Sequence, residues 1–163
     1  MLEVNHLIGF GAGGGGAYST KWRLLMDSGP STTYVCVIPE CEMAADIGGV
    51  DQCVGGTATA KSIWSTDPSY APSQAFDDVI IVGGYQSAYP NVGGGWPQWL
   101  QYEFLSPVSV RELRLITGTG DYGQALYPGL TTALQYYDTS LSDWVTAATW
   151  AGLTPDANHT LTI

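Results

Sequence analysis

Positive charge is what this chain has least of. Its 163 residues carry five lysines and arginines against fifteen aspartates and glutamates, a formal net charge of −10. A surface that follows a phosphate backbone needs a basic stripe, so nucleic acid is ruled out as a partner, and adsorption to an anionic bilayer with it. The acidity fits calcium, neutral sugars, or simple solubility. Histidine is nearly absent as well. His6 and His159 sit near the two ends, which leaves no positioned imidazole for a Ser-His-Asp arrangement. The carboxylates are scattered rather than paired, and the chain reads as a non-enzyme. Cysteine is limited to Cys36, Cys41 and Cys53, with no C-x-x-C, which argues against zinc. If residues 34–43 form one strand, Cys36 and Cys41 point to opposite faces and do not pair. Buried free thiols are expected, in keeping with synthesis in a reducing compartment. No run is long and apolar enough to span a membrane. The opening MLEVNHLIGFGAGGGG lacks the charged and apolar regions of a secretory signal. A soluble protein made in the cytoplasm is the expectation.

Glycine (21), tyrosine (10) and tryptophan (6) are plentiful, and hydrophobic residues make up 45% against 12% charged. Few charges, many turns and many aromatics suit an all-β sandwich. Residues 1–17 read as an N-terminal arm and Gly-rich linker, and residues 18–163 as one β-sandwich domain. Gly9 to Gly16 has no clear strand before it and no helix-forming run after it, so it reads as linker rather than phosphate cradle. Val4, Leu7 and Ile8 give the arm an apolar patch for docking on a neighbouring subunit.

Two-residue alternation marks the strands. The stretch around which the rest is organised, Gly93 to Ile116, predicts two strands joined by a tight turn at Leu105-Ser106-Pro107. Leu100, Tyr102 and Phe104 alternate with Gln101 and Glu103, and a slip in phase at Arg111-Glu112 predicts a bulge or strand bend. Lys21 to Met26 reads as a strand. Tyr34 to Met43 reads as another, with Glu40 and Glu42 on one face and Pro39 at an edge or bulge. Further strands are expected at Thr57–Ile63, Thr131–Tyr137, Trp144–Ala148 and Thr160–Ile163, and no helix longer than a turn or two. Trp22, Trp99 and Trp144 are assigned to the core.

The run PQWLQYEFLSPVSVRELRL resembles the central hairpin of the discoidin, or coagulation-factor type C, domains of the galactose-binding-like superfamily. GGTATAKSIWSTDPSYAPSQAFDD resembles that family's opening, which leads into Ala-Phe-Asp-Gly. LTTALQYYDTSLSDWVTAATW resembles its later hairpin. The family's closing strands are not found after these segments, whereas KWRLLMDSGPSTTYVCVIPECEM, near the start, resembles them. The resemblance implies a jelly-roll β-sandwich whose strand order is circularly permuted, or one completed by strand exchange with a neighbouring subunit.

It also implies a calcium site, with Asp77 as loop ligand, Glu40 as the carboxylate of the final strand, and Glu42 or Asp78 as alternates. Carbonyls between Gln74 and Ile80 would complete the oxygen ligands. The chain departs from the family here: Asp78 replaces the usual glycine, and Val79-Ile80-Ile81-Val82 replaces a polar run. Asp77 capping a turn with no ion is the alternative. Exposed loop aromatics with polar neighbours suit sugars, whose C–H faces stack on rings. The candidates are Tyr70, Tyr85, Tyr89, Trp96, Asp121, Tyr122 and Tyr127, against the alternative that each ring serves packing or subunit contact. Gly118-Thr119-Gly120 stands where galactose-binding relatives often carry an arginine.

Two functions compete. One is a non-catalytic module recognising a cell-surface glycan. The other is a purely structural decoration or adaptor protein whose contacts are with other proteins. A glycine-rich arm, free thiols and no export signal are similar to bacteriophage virion proteins with discoidin-like modules. That likeness implies assembly in the host cytoplasm, display on the particle, and a homo-oligomer. A lectin role predicts an open aromatic–polar pocket at a loop end; an assembly role predicts a large aromatic patch buried between chains and a docked N-terminus.

Overall fold

The computed structural model describes residues 16–27, 35–80, 84–87, 95–118, 131–154 and 156–163. The fold grows from β1 (Ser19–Met26), where alternation is cleanest. Trp22, Leu24 and Met26 are buried, while Lys21, Arg23 and Leu25 face the other way and are half-buried. β1 lies inside a five-stranded sheet of order β4-β6-β1-β8-β9. Its partners are β4 (Thr57–Ala60), β6 (Gln98–Val108), β8 (Thr131–Asp138) and β9 (Asp143–Ala151). β6 and β8 both run antiparallel to β1, so Leu100, Leu24 and Leu134 stand side by side on the inner face, all fully buried.

The opposite layer is a three-stranded antiparallel sheet, β10 (Asn158–Thr162), β7 (Glu112–Ile116) and β3 (Glu40–Ala44). It sends Cys41, Met43, Leu113 and Leu115 into the same core as the leucine row. A two-stranded ladder, β2 (Val37–Ile38) with β5 (Tyr85–Gln86), adds Ile38 and Tyr85 to that core. The result is an all-β, sandwich-like body. The helical content among the described residues is two short 3-10 turns, Pro68–Tyr70 and Pro72–Ala75. No helix among the described residues is long and apolar enough to cross a membrane.

Three expectations need correction. The stretch 98–116 is not a hairpin. β6 continues through Leu105-Ser106-Pro107, which bulge outward and are exposed, and the chain leaves it at Ser109–Arg111 to enter the other sheet as β7. Opposite Ser19 and Lys21 of β1 stand Val108 and Glu103, so four residues of β6 face one of β1. Pro107 is tolerated in this bulge because the ladder there asks for no N–H. The phase slip at Arg111-Glu112 is therefore the change of sheet. The second correction concerns residues 34–43, where the described part is two strands. β2 and β3 are broken by a bend at Pro39 and pair with different partners. Gly84 makes room for that bend: its φ is +55°, and a Cβ there would lie 2.4 Å from Pro39 Cα. Thirdly, Trp22 is core as expected, but Trp99 and Trp144 lie half-buried on the outer face of the large sheet, and Trp150 packs on the core instead. The expected strand at Thr57–Ile63 ends at Ala60, and β9 runs on to Ala151. The three cysteines are free and buried. The N-terminal arm to residue 15 lies outside the described residues.

The facing of β1 has a direct test by urea unfolding. Leu24→Ala removes a fully buried side chain and is expected to cost about 3 kcal/mol, whereas Leu25→Ala on the outer face is expected to cost under about 1.5 kcal/mol. Equal losses at both positions would contradict the assignment.

Candidate functional site

β3 sets up the first group of functional side chains. Its alternation commits Cys41 and Met43 to the core, so Glu40 and Glu42 project from the outer face of the small sheet. Glu42 is neutralised by Arg114 at 2.7 Å, and Arg114 also meets Glu112 at 3.2 Å. Glu40 has no such relief. It is 3% exposed; Oε1 accepts from the Cys41 N–H at 3.2 Å, and Oε2 has no hydrogen-bond partner among the described residues. Burial pushes its carboxyl up to about 7, and the negative charges of Asp77, Asp78 and Glu42 push in the same direction against the Cys41 N–H.

Asp77 and Asp78 reach Glu40 from the turn after Pro72–Ala75. Ala75 and Phe76 are buried and anchor this turn on the core, leaving both aspartates at the surface. Asp77 Oδ1 accepts from the Val79 N–H at 3.0 Å, the turn-capping role weighed from sequence. Asp78 has a φ of 58°, a left-handed conformation that aspartate tolerates among the few non-glycine residues. The structure thus brings Glu42, Asp77 and Asp78 within electrostatic reach of Glu40. Among the described residues, no three His, Cys, Asp or Glu side chains close around one metal-sized point. An ion here would depend on backbone carbonyls as well, and the unsatisfied Glu40 Oε2 is the feature that fits it.

The expected aromatic cluster is not assembled among the described residues. Tyr85 is fully buried and its hydroxyl donates to the Ser62 carbonyl at 3.1 Å, so it is a core residue and offers no ring to a ligand. The cause is β5, which the β2 ladder draws into the interior. Tyr70 is half-buried in the 3-10 turn that Asp67 caps, and Trp96 is half-buried against the core. Tyr89, Asp121, Tyr122 and Tyr127 lie outside the described residues.

A different cleft carries aromatic and polar groups together. It holds about 310 Å³ and opens where β1 begins and β8 ends. Tyr18, Tyr136 and Tyr137 supply rings, and Ser19, Thr20 and Thr139 supply hydroxyls. Tyr18 is 73% exposed, while Tyr136 packs at a tilt 5.5 Å from the core indole of Trp22 and is held from below. Ser19 Oγ donates to the Tyr137 carbonyl at 2.8 Å, tying the two strands together at the cleft floor. Asp138, on the rim, is held below the usual carboxylate range by the Ser140 hydroxyl and the N–H groups of Ser140 and Leu141. Sequence reasoning missed this cleft because its halves are far apart in the chain. The signal was the pair Tyr136-Tyr137 closing one strand and Tyr18 opening another. The antiparallel match of Trp22 to Tyr136 makes them neighbours.

No family model, no curated protein and no solved structure matches the chain.

Glu40 predicts a pH dependence of stability. Its folded pKa lies above the ordinary carboxylate value of about 4.3, so between the two the folded chain holds a proton the unfolded chain has shed. That contribution is complete below the ordinary value and is lost as pH rises through about 7. Unfolding free energy measured in chelator should fall by on the order of 1–2 kcal/mol from about pH 5 to about pH 8. Glu40→Gln should flatten most of that slope; an unchanged slope would mean the carboxyl is solvated.

Proposed function

We propose that the chain is a discoidin-like module of galactose-binding-like, jelly-roll type, with circularly permuted strands. In this reading it binds a cell-surface glycan without catalysis from the surface of a phage virion. The observation that carries the binding role is the tyrosine cleft. It combines ring faces for sugar C–H groups with hydroxyls for sugar oxygens, at a volume that fits one or two sugar rings. Support for the permutation comes from β1 and β3, which sit inside and at the edge of the two sheets and pair within their own chain. On this reading the arm of residues 1–17 docks on other virion proteins and the module works as a homo-oligomer. A glycan array tests it. Wild type should retain a subset of glycans, and Tyr18→Ala should weaken them about five- to tenfold. Its unfolding free energy should stay within about 0.5 kcal/mol, because Tyr18 is a surface side chain. Silence of the wild type across the array would reject the glycan reading.

A structural role as decoration or adaptor protein has its own support. Ile47, Val50, Val54 and Leu105 are exposed apolar residues, and a Cβ at Gly55 would lie 3.5 Å from Leu105 Cδ1, so the loop after β3 meets the β6 bulge. Such a patch suits protein contact.

Calcium belongs to this proposal as a stabilising ion. Glu40 and Asp77 would hold it, with Asp78 or Glu42 as alternates and carbonyls of residues 74–80 as further oxygens. When bound it supplies positive charge that relieves the carboxylate repulsion at Glu40. Calorimetry should record heat on adding calcium, and melting should shift upward, with both lost in Glu40→Gln. No heat and no shift in the wild type would remove calcium from the account.

A further inference from the structure

We propose that the outer face of the five-stranded sheet beside the tyrosine cleft reads an acidic saccharide, with the Arg23 guanidinium taking its carboxylate or sulfate and Trp144 and Tyr137 supporting its rings. This rests on the glycan reading of the cleft and names the class of glycan.

The sheet register places Arg23 centrally. Thr59, Gln101, Arg23, Gln135 and Thr146 face one another in sequence across all five strands. Arg23 lies over the Trp144 ring at 4.1 Å, and its Nε donates to Gln135 Oε1 at 2.8 Å. Gln135 is fixed in turn by donating to Thr146 Oγ1 at 3.1 Å. Trp144 meets Tyr137 edge to face at 5.5 Å, and Tyr137 lines the cleft. The cleft and the guanidinium are thus ends of one continuous aromatic strip.

Cations are scarce on this chain. Acids outnumber lysines and arginines fifteen to five in this chain. Lys21 is paired with Glu103 at 3.5 Å, and Arg114 with both Glu42 and Glu112. Arg23 has no carboxylate within salt-bridge distance among the described residues; the one that acts on its charge, Asp143 at the start of β9, stands farther off. A ring and an amide hold the guanidinium and orient its planar fork. A fork oriented in advance loses little freedom on taking a carboxylate or sulfate through two parallel hydrogen bonds. Glu40, Glu42, Asp77 and Asp78 belong to the opposite layer, while this sheet carries acids of its own, Glu103 on β6, Asp138 on β8 and Asp143 on β9, the first of them paired with Lys21.

Binding would be measured by calorimetry with three probes of matched length: oligogalacturonate, a sulfated heparin-derived oligosaccharide and a neutral galacto-oligosaccharide. The variants are Arg23→Met, which keeps the stem over Trp144, and Arg23→Lys, which keeps charge but not the fork. The wild type should prefer one or both acidic probes. Arg23→Met should lose about tenfold in affinity for them while changing less than twofold for the neutral probe. Arg23→Lys should fall between, with melting temperatures reporting that all three chains fold. The two acidic arms tell carboxylate from sulfate. Neutral binding that Tyr18→Ala weakens, with no acidic preference, would overturn this inference and leave the glycan reading standing. Absence of binding to all three probes, together with array silence, would end both. Concentration-dependent self-association lost in Arg23→Met, with no effect on sugars, would assign the face to a second copy of the chain and overturn the proposal.

Discussion

The molecule depends on a strand from the start of the chain being accepted between two strands from its later part. Past the bulge at its start, β1 is matched residue for residue with β6 on one side from Lys21 to Met26 and with β8 on the other from Trp22 to Met26. Its Trp22 fills the core and donates its indole N–H to the Val108 and Ser19 carbonyls at 3.1 Å and 3.2 Å. That side chain thereby pins the bulge from which the chain crosses to the second layer. Without β1, β6 and β8 would each expose a bare edge, and the inner leucine row would lose its middle member. Burial of an indole with its N–H satisfied is favourable in a way that an unsatisfied one is not.

The same insertion creates the cleft. Where β1 enters the sheet, its first residues sit against the last residues of β8, so Tyr18 comes to face Tyr136 and Tyr137. Tyr136 points inward onto Trp22, and its neighbour Tyr137 points outward towards Trp144. Alternation along one strand thus assigns adjacent tyrosines to opposite tasks, one joining the cleft to the core and the other joining it to the outer face.

Much of this was legible in the sequence where period and facing agree. β1, β8 and the turn to β9 follow from alternation alone, as does the inward set Leu100, Tyr102 and Phe104. What period cannot reveal is which sheet a strand joins. Val108–Ile116 has the pattern of a returning hairpin strand, yet Val110 lies in the core between layers and β7 pairs with β3 and β10. Tyr85 misled for a related reason: glycines and tyrosines around it have the composition of an exposed loop, while the two-residue ladder with β2 buries it. Trp99 and Trp144 misled in the other direction, since size favours burial but strand parity places them outside. The cleft was illegible because it depends on pairing between segments more than a hundred residues apart.

Glu40 shows how parity can force a cost that chemistry then has to answer. Placing Cys41 and Met43 inward leaves no choice but to turn Glu40 and Glu42 outward. For Glu42 the neighbouring strand supplies Arg114. For Glu40 the neighbouring strand supplies Ile116, and the turn above it supplies two more carboxylates. A glutamine at this position would occupy the same space with no charge to desolvate. The carboxyl is therefore out of keeping with local packing, and such departures concentrate where a site has a use for the group. Its shortage is of positive charge, and cations that could have supplied it are committed elsewhere, among them Arg114 to two glutamates, Lys21 to Glu103, Lys61 to the Gly95 and Pro97 carbonyls, and Arg23 to a tryptophan on the far sheet. In so acidic a chain the placement of a few cations sets the charge that each layer presents.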